Sequence, residues 1–536
     1  MCGILGIFDK KDLDIQLAQD LSKRMRHRGP DMQDFEVNES KTGIITHERL
    51  AIIDLHTGKQ PIQGTSSAYV VHNGEIYNHI KLKENELKDC SFRTACDSEV
   101  IVKLYEKYGT EFCNKLDGVF GFIVMQGDDY MVARDPIGIK PLYYGQDKDG
   151  AMYFSSEMKV IEDQVTDLKA FPPGHFYTKE TGFVKYYKPE WDEFTTCTEE
   201  LNYVKLKDAL IEATRKRLMS DVPVGVLLSG GLDSSLISSI TARLLKEQGK
   251  TLHSFSVGLD ENAPDVIAAK EVAKFIGTEH HTIHFSFEEG LAIIDKLIWH
   301  LETYDITSIR ASTPMYIMSK YITEMGIKVV LSGEGSDEIF GGYLYFHNAP
   351  SDEEFQKETI RRVQLLSTAD CLRADKSTMA WALEARVPFL DRHFLDVAMK
   401  IDPSHKRPDR SSGKMEKFII RKAFDDKENP WLPEEILWRQ KEQFSDGVGY
   451  SWIDQLVDYC AEQITDEEMT KAETLFPINT PTTKEAMYMR KIFHKHFPSE
   501  TAAKTVKKWI PKWQENEDPS GRASTIHDQT IELVNL

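Results

Sequence analysis

Val226-Leu227-Leu228-Ser229-Gly230-Gly231-Leu232-Asp233-Ser234-Ser235 is the stretch on which the fold turns. The apolar, β-rich run at 222–228 reads as a buried strand, and the spacing from 235 to 246 reads as a helix. Between them lies Ser-Gly-Gly. Paired glycines let backbone amides approach oxygen ligands closely. The helix N-terminus adds the positive end of a dipole, and the serine hydroxyls add donors. Strand, glycine turn and helix in that order form a cradle for pyrophosphate, different from the GxxxxGK[ST] loop.

Working outward, residues 252–257 read as a second strand, 265–276 as a helix and 328–331 as a third strand. The third strand runs into Ser332-Gly333-Glu334-Gly335-Ser336-Asp337-Glu338. This βαβαβ order predicts a parallel, doubly wound sheet whose loops open together at its carboxyl edge. Beyond Phe340 the chain reads mainly as helix. Upstream, the polar stretch 188–201 marks a boundary. Before it, strand patterns at 3–8, 43–53, 67–72, 120–125, 130–133 and 142–144 outnumber one helical pattern at 98–108. The expected division is a mostly β domain at 2–190, an α/β domain at 205–510 and a polar tail at 511–536.

The whole chain has 536 residues, 41% hydrophobic and 28% charged, enough for more than one core. With 66 basic and 86 acidic residues the net charge is −20, which argues against a nucleic-acid partner. The seven cysteines are odd in number and form no CxxC pair, so a reducing, cytoplasmic setting is expected rather than a disulfide framework or zinc site. The sequence contains no secretory or lipidation signal, and no apolar run of the ~18 residues a membrane span needs.

Cys2 follows the initiator methionine. Removal of that methionine would give its thiol a neighbouring α-amine of pKa ~8, able to act as a base. Arg26-His27-Arg28-Gly29-Pro30-Asp31, His47-Glu48-Arg49-Leu50 and Asn73-Gly74-Glu75-Ile76-Tyr77-Asn78 follow. An Asn amide beside a Gly N–H can form an oxyanion hole. Arg49 could clamp an α-carboxylate, and Asp97 could hold an α-ammonium.

Together with Arg134-Asp135-Pro136, Pro141-Leu142-Tyr143 and Ser155-Ser156-Glu157-Met158-Lys159, these motifs resemble the glutaminase domain of class II glutamine amidotransferases over residues 2–190. The resemblance implies an N-terminal-nucleophile αββα sandwich with Cys2 as nucleophile, Asn73 and Gly74 as the oxyanion hole, and Arg49, Asn73, Glu75 and Asp97 around glutamine. Cys96 stands where the family more often has serine and reads as a tolerated small residue. The second half resembles ATP pyrophosphatases, which form an adenylate and release pyrophosphate. That implies an ATP site of Leu228, Ser229, Gly230, Gly231, Asp233, Ser234, Val257, Ser332 and Gly333, with Asp233 and Asp337 as Mg²⁺ ligands.

Arg217, Ser220-Asp221-Val222-Pro223, residues 302–310, Glu384-Ala385-Arg386-Val387-Pro388-Phe389-Leu390-Asp391, Arg439-Gln440-Lys441-Glu442 and Asp518-Pro519-Ser520-Gly521-Arg522-Ala523 extend the resemblance to the asparagine synthetase B family over nearly the whole chain. It implies that Thr307, Ser308 and Arg310 bind aspartate and that Lys441 faces the pyrophosphate. Glu334, set between Gly333 and Gly335 at the carboxyl end of a strand, reads as a carboxylate that takes a proton during amide formation. Ser308 stands where bacterial relatives are expected to have threonine, keeping the hydroxyl without the methyl. The substrates implied are glutamine, aspartate and ATP, with no nucleic acid and no membrane. Oligomeric state is open, a homodimer being one option.

Three other readings fit the sequence less well. Another class II amidotransferase, acting on a sugar phosphate or phosphoribosyl pyrophosphate, would not need the pyrophosphate loop. A β-lactam-synthetase-like ligase would not need Cys2, Asn73 and Arg49 together. A regulator built on a dead scaffold would be expected to lack one of Cys2, Asp233, Glu334 or Asp337, and all four are present.

Overall fold

The computed structural model describes residues 2–409, 412–440 and 451–514. Lys441 and the 518–523 segment therefore lie outside the described residues.

The first half forms two antiparallel sheets. Its strands are β1 (Gly3–Phe8), β2 (Met32–Val37), β3 (Ile44–Arg49), β4 (Ile62–Gln63), β5 (Ala68–Ile76), β6 (Gly118–Gln126), β7 (Asp129–Arg134), β8 (Tyr143–Gln146), β9 (Met152–Ser155), β10 (Lys169–Ala170), β11 (His175–Thr178) and β12 (Gly182–Lys185). One sheet runs β10-β8-β9-β1-β3-β2 and the other β12-β11-β7-β6-β5-β4. Alternation along β1 explains the layering. Ile4 and Phe8 pack inward with Val71, Ile123 and Val132 of the other sheet. Leu5 and Ile7 face outward, packed with Ala18 and Leu21 of the helix Ile15–Lys23. On the far side Val70, Phe120 and Phe122 meet Val100, Ile101 and Leu104 of the helix Glu99–Tyr108. Helix, sheet, sheet and helix give the expected αββα sandwich.

The second half carries one parallel sheet of β13 (Val224–Leu227), β14 (His253–Gly258), β15 (Glu279–His284), β16 (Val329–Leu331) and β17 (Glu384–Arg386), in the order β15-β14-β13-β16-β17. All four pairings are parallel. The order reverses between β13 and β16, which places a crevice outside their carboxyl ends. Helices cover the sheet, among them Leu232–Lys246, Pro264–Ile276 and Ile306–Glu324. The doubly wound arrangement matches the expectation. The reading of the region after Phe340 as mainly helix missed β17, a three-residue strand with a charged residue at each end.

The two halves share buried surface. Leu5, Ile7, Met158 and Val160 join Leu301, Tyr304 and Ile309 in one hydrophobic cluster. Glu302 accepts hydrogen bonds from Met158 N at 2.8 Å and Lys159 N at 2.7 Å. Arg28 donates to the Cys2 carbonyl at 3.0 Å and pairs with Asp375 of the second half at 2.8 Å.

Candidate active sites

Cys2 precedes β1, next to β3 in the middle of its sheet, and is buried. Its backbone nitrogen donates to Asn73 Oδ1 at 3.0 Å, and its Sγ lies 3.8 Å from the Leu50 carbonyl. Burial pushes the thiol pKa up, with the Leu50 contact and Arg49 pulling against it, so the resting group is a thiol that needs a base. Asn73 and Gly74 lie on β5, in the facing sheet. Gly74 has φ +148°, and a Cβ there would meet the Val119 carbonyl oxygen at 1.9 Å, so only glycine fits.

The three expected glutamine contacts differ in their partners. Arg49 Nη2 donates to the Asp54 carbonyl at 2.6 Å. Asp97 Oδ2 accepts from Ile76 N at 2.7 Å, which ties it to the end of β5. Glu75 pairs through Oε1 with Arg386 of β17 at 3.1 Å. Its Oε2 is buried with no hydrogen-bond partner among the described residues. Cys96 is buried, its Sγ lies 3.4 Å from Asp97 Oδ1, and burial beside that carboxylate raises its pKa well above the usual thiol range. That environment suits a small core residue and disfavours a second nucleophile.

The crevice at the switch point is a deep cavity. Leu228, Ser229, Gly231, Asp233, Ser234 and Val257 line it from β13 and β14. Ser332, Gly333, Glu334 and Asp337 line it from β16. The loops interlock: a Cβ on Gly333 would meet Ser234 N at 2.7 Å. Ser229 Oγ and Ser234 Oγ are 3.0 Å apart, which closes the turn over the start of the helix Leu232–Lys246. Gly230 packs under the turn with φ +76°, where a Cβ would meet Ala268 Cβ at 2.5 Å. Its role is to let the loop seat on the neighbouring helix.

Two cations that sequence reasoning missed complete the cavity. Lys417 Nζ bridges Asp233 Oδ2 at 2.5 Å and Asp337 Oδ1 at 2.6 Å. Arg373 Nη2 pairs with Glu334 Oε2 at 2.8 Å and Asp370 Oδ1 at 2.9 Å. Both come from the helical region after Phe340, where nothing local in the sequence distinguishes them from surface charges. Burial raises the Glu334 pKa, and Arg373 acts against that rise. Asp233 Oδ1 is buried with no hydrogen-bond partner among the described residues. An unsatisfied carboxylate oxygen beside a second carboxylate at a phosphate cradle fits a Mg²⁺ site.

The three residues expected to hold aspartate are split. Thr307 lines the cavity. Ser308 turns to the helix cap, its N and Oγ donating to Asp305 Oδ2 at 2.9 and 2.8 Å. Arg310 does not line the cavity: it is buried against Glu485, with Nε to Oε1 at 2.9 Å and Nη2 to Oε2 at 2.6 Å. A buried guanidinium requires a carboxylate close by, and the helix Lys484–His496 supplies one. The sequence held no local sign of that pairing, because 175 residues separate the two.

Comparison with known proteins agrees with this geometry. The glutamine amidotransferase domain family matches residues 1–179, and the asparagine synthase family matches 205–354 and 348–517. A probable glutamine-hydrolysing asparagine synthetase of Dictyostelium discoideum is 50% identical, covering 99% of this chain and 100% of its own. Glutamine-hydrolysing asparagine synthetases from Oryza sativa and Arabidopsis thaliana are each 49% identical, covering 99% and 98% of this chain and 94% of theirs. A thiol and an amide-and-glycine pair in one half, a carboxylate-lined pyrophosphate cradle in the other, and identity over nearly the full length lead to one assignment: the chain belongs to the glutamine-hydrolysing asparagine synthetase family.

Proposed function

We propose that this chain converts L-aspartate, L-glutamine, ATP and water to L-asparagine, L-glutamate, AMP and diphosphate. The observation that carries the proposal is the pairing of two separate reaction centres in one chain. The first has Cys2 against Asn73 and Gly74. The second has the Ser229–Ser234 cradle facing Asp233, Glu334 and Asp337.

In the first centre the Cys2 thiol gives its proton to the α-amine freed by loss of Met1, and sulfur attacks the side-chain amide carbon of glutamine. The Asn73 amide and Gly74 N–H hold the developing oxyanion, a contribution of about 10²–10³ in rate per donor. Ammonia leaves, and water hydrolyses the thioester to glutamate and restores the thiol. Arg49, Glu75 and Asp97 are assigned to the glutamine α-carboxylate and α-ammonium. The unpartnered Glu75 Oε2 supports that assignment.

In the second centre the aspartate side-chain carboxylate attacks the α-phosphorus of ATP, giving β-aspartyl-AMP and pyrophosphate. Ser229, Gly231 and Ser234, with Ser332 and Gly333 opposite, present amides and hydroxyls to the phosphates, while Leu228, whose N–H donates to the Phe255 carbonyl, lines the wall and Val257 is assigned to the adenine. Asp233 and Asp337 would hold Mg²⁺, which when bound offsets charge on the phosphates. Lys417 and Arg373 supply fixed positive charge in the same cavity. Thr307 is the aspartate contact favoured by its position, and Lys441 is assigned to the pyrophosphate from sequence. Ammonia from the first centre attacks the β-acyl carbon, Glu334 takes the proton from the attacking nitrogen, and AMP leaves. A carboxylate with a raised pKa is a better base near neutral pH than an ordinary one.

No helix among the described residues is long and apolar enough to cross a membrane. We assign the chain to the cytoplasm on the seven cysteines, all of them unpaired.

The test is a variant assay. Cys2→Ala should abolish glutamine-dependent synthesis and glutamate formation while sparing synthesis from ammonium salts, and AMP, not ADP, should accumulate with asparagine. Equal loss of both activities, or ADP as product, would overturn the assignment.

A further inference from the structure

At the edge of the parallel sheet three side chains converge on one face. β14 and β15 pair in parallel with His253 opposite Glu279 and Phe255 opposite His281. Side chains alternate across a strand, so His253, Glu279 and His281 emerge on the same side. His253 Nδ1 lies 3.2 Å from His281 Nε2. Glu279 Oε2 is 3.8 Å from His253 Nδ1, and its Oε1 is 4.0 Å from His281 Nε2. Among the described residues this is the one cluster of three such groups with ligand atoms all within 4.8 Å of one another.

We propose that His253, Glu279 and His281 form a structural Zn²⁺ site that pins the edge strand β15 to β14. With Zn–N bonds of about 2.0–2.1 Å, two ligands of a tetrahedral zinc stand roughly 3.3 Å apart. The two imidazole nitrogens already have that separation. One carboxylate oxygen needs to move in by about 1 Å to reach both, which the exposed Glu279 side chain can do by rotation. A water would take the fourth position.

The rings are prepared for the task. His281 stacks on Phe255 with centroids 5.1 Å apart and planes at 21°, which fixes its direction. Its sequence neighbour His280 points to the opposite face, where Ser254 Oγ at 2.9 Å and Ser256 Oγ at 3.0 Å engage its two nitrogens. His280 is thereby excluded as a ligand.

The position sets the role. His253 starts β14, at the end of the strand away from the cradle loops, although Phe255, which lines the cavity, lies two residues on. The ion would therefore take no part in the reactions above. It would cross-link an edge strand whose outer side has no strand partner.

The test uses the full chain carrying Cys2→Ala, which removes the active-site thiol as a competing ligand, after treatment with EDTA and exchange into chelator-free buffer. Zn²⁺ titrated against a chromophoric chelator should show one equivalent bound with a micromolar Kd. Adding His253→Gln and His281→Gln should weaken that binding at least 30-fold. Saturating Zn²⁺ should raise Tm by several degrees in the parent and leave the His variant unmoved. Both histidines are partly exposed, so the variant should fold, as its ammonia-dependent synthesis would show. Absence of stoichiometric Zn²⁺ binding, or binding of equal strength by the His variant, would overturn the proposal.

Discussion

Arg386 reaches out of the parallel sheet and closes on Glu75 of the antiparallel one, Nη2 to Oε1 at 3.1 Å. The same guanidinium donates to Glu384 Oε1 at 2.5 Å and to the Arg217 and Met219 carbonyls at 2.7 and 2.5 Å. Its own carbonyl accepts from Ser332 N at 2.9 Å. One residue thus touches a proposed glutamine contact with its side chain and the start of the Ser332–Glu338 loop with its backbone. Burial, with Glu384 close by, raises the Glu75 pKa well above its ordinary value, and Arg386 acts against that rise.

Removing Arg386 should strand Glu384, the buried carboxylate it helps hold ionised. Arg386→Met should destabilise the chain by about 3–5 kcal/mol, the usual cost of stranding a buried charge. Glu384→Gln in the same chain should recover more than about 1 kcal/mol of that loss, measured by a double-mutant cycle in urea. Losses that add to within about 0.5 kcal/mol would show that the two residues are energetically independent.

Lys417 offers a test of the cavity. It is buried and neutralises Asp233 and Asp337 together. Lys417→Met leaves two adjacent carboxylates to repel each other and removes fixed charge facing the phosphates. ATP–pyrophosphate exchange dependent on aspartate should fall by about 10² or more. Glutaminase activity should stay within twofold of the parent. Asp233→Asn should give the same pattern, because an amide is a poor Mg²⁺ ligand. Normal exchange in either variant contradicts the assigned roles.

Glu334→Gln separates base from anchor. It preserves size while removing charge. Asparagine formation should slow by about 10²–10⁴, the range for a lost general base, while adenylate and pyrophosphate still appear. A matching fall in pyrophosphate release would place Glu334 with the groups that hold ATP and metal.

Asp391 carries a pH prediction. Burial would raise its carboxyl, but Arg217 and Lys216 outweigh that and hold it at about 2. Arg217 lies at 2.9 Å and Lys216 at 2.8 Å. A folded pKa below the unfolded value of ~3.9 contributes stability above that value, lost as pH falls toward 2. The contribution is about 2 kcal/mol. Asp391→Asn should be destabilised relative to the parent at pH 6, and the gap should shrink by about that amount by pH 2.5. A gap independent of pH would show that the ion pair contributes nothing.

How far these features could be read beforehand follows from local chemistry. β13 and β16 were legible because each is an apolar run ending near glycine, the pattern of a strand buried on both faces, and β14 because Phe255 and Val257 alternate with serines up to Gly258. β15 is Glu-His-His-Thr-Ile-His, an edge strand with too little apolar character to register, and β2 is similarly polar. Both are defined by their neighbours. The cradle residues were visible because a strand, two glycines and a helix must be contiguous to bind phosphate. Lys417 and Arg373 were invisible because a buried cation is known only by the carboxylates around it, here residues distant in sequence. The same cause hid Glu485, the partner of Arg310, which no local pattern announces.

The central claim is that one chain moves nitrogen from glutamine to an adenylated aspartate. Glutamine labelled with ¹⁵N in its amide and aspartate labelled with ¹⁸O in its side-chain carboxylate test it together, with products resolved by mass spectrometry. The account predicts asparagine carrying ¹⁵N and AMP carrying one ¹⁸O, because attack by ammonia leaves an aspartate oxygen on the departing phosphate. Unlabelled AMP, or ADP with labelled inorganic phosphate, would contradict it.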